Sequence, residues 1–260
     1  MVQGYREDRY YRRGQYRAVP MAEHEVRDRY ERLASRRAWL ETFMESRELN
    51  YVGDLLPANF RSQYVICPVV PRSLDWTTEA SRGWLQRHPY GQHFEASAYG
   101  VRTPLIIRED SQRWEPYTEI YRNGAISHWR NAHIGHHPQR TDWPYVAYVA
   151  ELEKLRDFLN YGGQLFQSIE YSGPIHLRVE ISHSDRRNMP KVRLPLEAGY
   201  DWPLLITHDN TLRMSADESA MTLISEPRRI LKKLADEMFR AFGSFEATCF
   251  DGNLNLVSRR

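Results

Sequence analysis

The order of apolar patterns along the 260 residues predicts an α+β fold, with a mixed or mainly antiparallel sheet and two packed helices preceded by an N-terminal strand-helix segment. Three observations carry this reading. The patterns run helix, several strands, helix, several strands, helix, which is not the regular strand-helix alternation of a doubly wound sheet. Asn123-Gly124 sits between the β-rich runs 117–122 and 125–129, and Asn-Gly in that setting is the strongest short-range hairpin signal. Ile175, Leu177, Val179 and Ile181 alternate with His176, Arg178, Glu180 and Ser182, the period of a strand that buries one face and keeps a polar one.

Taken in order, residues 1–17 are rich in Arg and Tyr and too poor in aliphatic residues to bury a core alone. Val26, Tyr30, Leu33, Leu40 and Met44 then fall three, four or seven apart, which predicts an amphipathic helix from Met21 to about Glu48. Residues 50–59, with Gly53 and Pro57, read as a linker, so the chain divides into an N-terminal segment, 1–49, and a C-terminal α+β domain, 60–260. Residues 63–67 and 69–70 form a buried strand stopped by Pro68 and Pro71, and 101–108 a second one. In the Asn-Gly hairpin both turn residues tolerate the positive φ of a type I′ turn. Residues 131–142 read as a polar loop holding three histidines. Pro144 then opens a helix with Tyr145, Val149, Leu152, Leu155 and Leu159 on its apolar face, closed by Gly162-Gly163. Residues 192–196, 204–207 and 212–214 suggest further strands. A last helix starts at Ser225 or Glu226 with Pro227 in its first turn, packs Ile230, Leu231, Leu234, Met238 and Phe242, and stops at Gly243.

Composition narrows the class. At 41% hydrophobic and 27% charged the chain has the make-up of a globular protein with a substantial core. No apolar run approaches the roughly 20 residues that a membrane span requires, so no membrane is expected. Cys67 and Cys249 are the only cysteines and lie far apart, which excludes a disulfide framework and points to a reducing cytoplasm. The 36 basic residues nearly balance the 34 acidic ones, but 32 of the basic residues are Arg, the side chain suited to bidentate phosphate contacts and aromatic stacking; GC-rich coding gives the same excess. No phosphate-binding glycine loop, Gly-x-Ser-x-Gly elbow, His-Glu-x-x-His pair or EF-hand loop occurs.

Tyr10-Tyr11-Arg12-Arg13-Gly14, followed by Val19-Pro20-Met21 and Glu23-His24-Glu25-Val26, resembles the closing stretch of the Schlafen AlbA_2 domain. There an aromatic-x-Arg-x-Gly strand leads through a short polar turn to a Pro-Met pair and a Glu-rich helix. The chain carries one extra residue between Gly14 and Pro20. Ile120-Tyr121-Arg122-Asn123-Gly124-Ala125-Ile126, Gly173-Pro174, Ala241-Phe242-Gly243 and Phe250-Asp251-Gly252-Asn253 are similar to the region that follows this domain in a subset of such bacterial proteins. The resemblance implies a C-terminal accessory or sensor region, non-catalytic by itself and linked to nucleic-acid binding in regulation or defence. It also implies an AlbA_2 core, in the same chain or a neighbour, as partner, with ATP as the cofactor to consider, beside the divalent metal that a histidine cluster suggests below. The upstream core of that domain has no counterpart in this sequence, so no catalytic residue is transferred.

Several groups of residues suggest chemistry. Arg9, Arg12, Arg13 and Arg17 are interleaved with tyrosines, a combination suited to nucleic-acid backbone contact and base stacking; as the last strand of a domain, the same tyrosines are core residues. Arg228, Arg229, Lys232 and Lys233 share one side of the last helix, where they suit either phosphate contact or an ordinary solvated face. His133, His136, His137 and Asp142 supply enough ligands for a zinc or manganese ion, which opens an alternative reading as a metal-dependent hydrolase or nuclease; a plain surface loop is the competing one. Glu180, His183 and Asp185 bring carboxylates beside an imidazole, as acid-base work requires and as the wet face of a strand also supplies. A third function class is a protein-interaction module using Trp76, Trp84 and Tyr90.

Overall fold

The structure is a computed structural model and describes residues 11–13, 18–20, 23–56, 60–75, 85, 93–108, 113–137, 140–183, 193–195, 204–206 and 211–257. The chain divides into two compact units, Met1–Ser46 and Arg47–Arg260. In the first, β1 (Tyr11–Arg13) pairs antiparallel with β2 (Ala18–Pro20), and the long helix α1 (Glu23–Met44) follows. Leu40, Phe43 and Met44 are buried, and Trp39 stacks on Phe43 with ring centroids 5.7 Å apart.

The second unit opens with α2 (Arg47–Leu55), in a stretch that the sequence pattern assigns largely to a linker. Burial of Leu49, Val52 and Gly53 explains the difference. Gly53 is a packing residue: a Cβ there would lie 3.0 Å from the Trp129 ring. The strands β3 (Phe60–Pro68), β4 (Glu95–Ala96), β5 (Gly100–Arg102), β6 (Ile107–Arg108), β7 (Arg113–Trp114), β8 (Tyr117–Tyr121), β9 (Ile126–Asn131), β10 (Ile134–His137) and β11 (Arg140–Val146) follow. Next come α3 (Tyr148–Ser168), β12 (Pro174–His183), β13 (Arg193–Pro195), β14 (Leu204–Ile206), β15 (Thr211–Ser219), α4 (Ala220–Ser225) and α5 (Pro227–Ala241).

The fold is α+β. Its main sheet has seven strands in the order β15-β12-β3-β9-β8-β5-β4, every neighbouring pair antiparallel. A second sheet has the order β10-β11-β13-β14, with β11 and β13 parallel, and β6 pairs with β7. One face of the main sheet carries Ile66, Tyr64, Ile175, Leu177, Val179, Met214 and Ile126 against α3, α4 and α5, in one large hydrophobic core. The other face carries the alternate residues and lies under α2, which Gln63 reaches through the Leu49 carbonyl and Arg178 through Asn50.

That second face departs from the expectation of a wet side. Arg178, Glu180 and Ser182 are buried, so the alternation of β12 separates apolar from polar burial and not core from solvent. The strand read at 101–108 is two short pieces, β5 and β6. The 131–142 segment is mostly the β10–β11 hairpin, and Pro144 lies in β11, not at a helix start. Gly162 and Gly163 do not end α3: a Cβ on Gly162 would meet Ile66 Cδ1 at 2.4 Å, and one on Gly163 the Leu223 carbonyl at 3.3 Å, so the pair lets the helix sit close to β3 and α4. The helix ends instead at Ser168, closed by Glu170 two residues on, which is held at φ 51°, with Tyr171 N–H bonded to Phe166 O and Glu170 N–H to Gln167 O. The same arrangement closes α5, and there the left-handed residue is Gly243, φ 87°, at the predicted stop. The Asn-Gly hairpin forms between β8 and β9 with a different turn. Gly124 alone has positive φ, Gly124 N–H bonds Tyr121 O and Tyr121 N–H bonds Ala125 O, which is a type I turn closed by a glycine bulge.

Candidate functional site

Among the described residues the two most deeply buried carboxylates, Glu151 and Glu119, organise the polar interior, one on each face of the main sheet. Glu151 lies in the first turn of α3. Its Oε1 accepts hydrogen bonds from Ser62 Oγ and Tyr64 OH on β3, both at 2.5 Å. Its Oε2 accepts the backbone N–H of His133 at 3.1 Å and lies 3.5 Å from the Arg130 guanidinium and 3.4 Å from His133 Nδ1. Burial alone would raise this carboxyl; the His133 hydrogen bond, the Arg130 charge and the Ser62 and Tyr64 hydroxyls outweigh it and hold it at about 2. Burial and the neighbouring charge of Glu151 push the Tyr64 phenol well up, so Tyr64 stays a donor. His128 extends the cluster, 2.8 Å from Thr118 Oγ1 through Nδ1 and stacked on Phe158. A carboxylate saturated in this way is an anchor: it stays ionised throughout the neutral range and has no proton to give.

Glu119 lies on the opposite face, on β8 between Tyr117 and Tyr121. It accepts hydrogen bonds from Ser97 Oγ at 2.8 Å, Tyr117 OH at 3.0 Å and Tyr51 OH at 3.2 Å, and the two phenols lie 2.7 Å apart. Among the described residues no cation makes an ion pair with it; Arg102 touches Tyr51 at 3.5 Å and pairs with Glu95 at 3.0 Å. Burial, then the charge of Glu119, raises the Glu48 carboxyl, and burial raises the phenols of Tyr117 and Tyr121.

The residues singled out from sequence are dispersed. Arg12 and Arg13 lie on β1, with side chains outside the described residues; Arg9 and Arg17 lie outside them altogether. On α5, Lys232 pairs with Asp236 at 2.6 Å, Lys233 with Glu218 at 2.8 Å and Arg229 with Glu226 at 3.4 Å, while Arg228 is exposed. The basic stripe is therefore interleaved with its own counter-ions. His136 and His137 fall on β10 and Asp142 on β11, brought to one hairpin by the backbone, with their side chains outside the described residues. His133 belongs to the Glu151 cluster. No group of three or more His, Cys, Asp or Glu is set to hold a metal ion among the described residues. Glu180 pairs with Arg213 at 3.0 Å; the side chain of His183, and Asp185, lie outside the described residues.

Comparison with protein-family models, curated proteins and solved structures finds no match. Among the described residues no helix is long and apolar enough to cross a membrane.

Sequence reasoning did not single out Glu151 or Glu119, although each left a trace. Glu151, Leu155 and Leu159 recur every fourth residue, which puts a carboxylate in the apolar stripe of α3. Glu119 shares the strand period of Tyr117 and Tyr121, so the alternation that buries the two tyrosines buries it too.

Proposed function

We propose that the chain is a non-catalytic accessory or sensor region acting with an AlbA_2-type domain in nucleic-acid-linked regulation or defence, and that it meets nucleic acid through the Arg-Tyr segment containing Arg9, Arg12, Arg13 and Arg17. The observation that carries the reading is the order of the first unit. A strand at Tyr11–Arg13 precedes a strand at Ala18–Pro20 and a helix from Glu23, an order that supports the strand-before-helix pattern of the Schlafen AlbA_2 resemblance. The anchoring chemistry of Glu151 fits a region that holds shape rather than one that moves protons.

Between the two basic surfaces, the N-terminal segment is the stronger. A phosphate that displaced Asp236 or Glu218 from the α5 lysines would sit beside the carboxylate it displaced, whereas residues 9–17 hold four Arg and three Tyr and no acidic residue. Fluorescence anisotropy with a labelled oligonucleotide across a salt series tests this on the full chain. Removing one phosphate-binding side chain makes the slope of log K against log salt shallower by roughly 0.7 to 0.9. Arg12→Ala with Arg13→Ala makes it shallower by up to twice that, and Arg228→Ala with Lys232→Ala by less. Salt-insensitive binding, or an unchanged slope in the Arg12/Arg13 variant, overturns the proposal.

A further inference from the structure

The second sheet joins the main sheet where the chain leaves β9 at Ala132-His133, and the chain returns to the main layer at Ala147 as α3 begins. The chain passes between the two sheets again from β12 to β13 and from β14 to β15, and the first two of these four crossings meet at one side chain. Ala147 N–H bonds His133 O at 2.8 Å, Ala132 N–H bonds Phe60 O at 3.1 Å, and Glu151 N–H bonds Ala147 O at 3.0 Å, which closes a backbone collar. Inside that collar the Glu151 carboxylate spans the joint: Oε1 holds Ser62 and Tyr64 of the main sheet, and Oε2 holds the His133 backbone N–H and faces Arg130. Beyond it, β10 and β11 have their own ladder, Ile134 opposite Val146 to His137 opposite Arg140. Among the described residues β11 continues into β13 and β14 without pairing to the seven-stranded layer.

We infer that the β10-β11-β13-β14 sheet opens from the main sheet as one unit and that Glu151 is the clasp controlling this opening. Its carboxylate binds both sides of the joint, where Val146 and Ile134 add apolar contact with the main core, so breaking its bonds weakens the polar tie of the small sheet while the ladder between β3 and β12, which runs from Phe60–His183 to Pro68–Ile175, stays intact. Glu151 is thus a positioning residue: it acts through the His133 backbone and the β3 hydroxyls. The inference does not depend on what the chain binds.

Native-state hydrogen exchange with peptide resolution tests it. Removing hydrogen bonds to a buried charged group is expected to raise the exchange of 134–137 and 140–146 by roughly tenfold or more in Glu151→Gln, with 174–183 unchanged. Glu153→Gln, an exposed carboxylate on the same helix, leaves exchange as it was. A rise spread equally over both sheets, or no rise at 134–146, overturns the inference. If Glu151→Gln does not fold, the wild-type chain decides: in sub-denaturing urea the 134–146 amides open together at a lower free energy than the β3–β12 amides, and opening only with the whole fold counts against the clasp.

Discussion

Glu151 and Glu119 are both buried carboxylates on opposite faces of one sheet, yet they are neutralised in different ways. Glu151 has an adjacent guanidinium, two hydroxyls at 2.5 Å and a backbone donor, contributed by β3, β9 and the connection from β9 to β10. Glu119 has three neutral hydroxyls, two of them on side chains outside its own strand. The first carboxylate ties elements of the fold together through a buried counter-charge, and the second settles the polar surplus under α2. The comparison teaches that burial alone does not rank two acidic residues; what they leave behind when removed does.

Glu151→Ala is therefore the most damaging single change at either site. It leaves the Arg130 guanidinium and three donors in a closed interior without the carboxylate, a class of change that costs about 3–5 kcal/mol. Urea unfolding followed by far-UV circular dichroism measures it, and a loss below about 1 kcal/mol would break the contrast with Glu119. Acid gives the next effect. The Glu151 carboxyl is held at about 2 against an ordinary value of 4.5, so the folded state binds its proton less tightly than the unfolded chain does. Its contribution is complete above about pH 4.5 and is lost as pH falls through 2, on the order of 3 kcal/mol in all. Stability measured from pH 5 to pH 2 falls more steeply in the wild type than in Glu151→Gln.

The contrast between these two sites explains how much was readable from sequence. Elements whose signals are local came through: the β8–β9 hairpin from Asn123-Gly124, β12 from its alternation, and α5 from Pro227 and Gly243. Elements set by tertiary contact did not. Glu170 closes α3 in a conformation usually left to glycine, so the helix end was invisible, and Gly162, which looks like a stop, is a contact point for Ile66. The polar face of β12 reads as solvent-facing because nothing local announces that Arg178 meets Asn50 of α2 or that Glu180 is paired with Arg213 of β15. Glu151 is the intermediate case: its place in the apolar stripe was legible, but its partners come from positions 62, 64, 130 and 133, and only the fold brings them together.

Glu119→Gln should cost less than the same change at Glu151, about 1–3 kcal/mol, because the amide keeps the shape and no paired cation loses its counter-charge. Since Glu119 raises the Glu48 carboxyl, neutralising it brings Glu48 back toward the ordinary carboxylate range, and a carboxyl-carbon NMR titration reads that shift directly. An unmoved Glu48 would mean that burial by itself sets it.

The smallest effect sharpens the comparison most. Tyr51→Phe removes one phenol from the Glu119 cluster, its 2.7 Å bond to Tyr117 and its 3.2 Å bond to Glu119, at a half-buried position that also meets Arg102. Because Tyr117 and Ser97 still bond the carboxylate, the loss is expected to be about 0.5–1.5 kcal/mol. Combined with Glu119→Gln, the two changes should fall short of additivity, since each removes part of the same network. The corresponding pair across the sheet, Tyr64→Phe with Glu151→Gln, should show the larger coupling, because its hydroxyl is fully buried and its bond is shorter. Equal coupling energies at the two sites would mean that the Arg130 charge adds nothing to the Glu151 cluster beyond what hydroxyls supply, and the two carboxylates would then be structural equivalents.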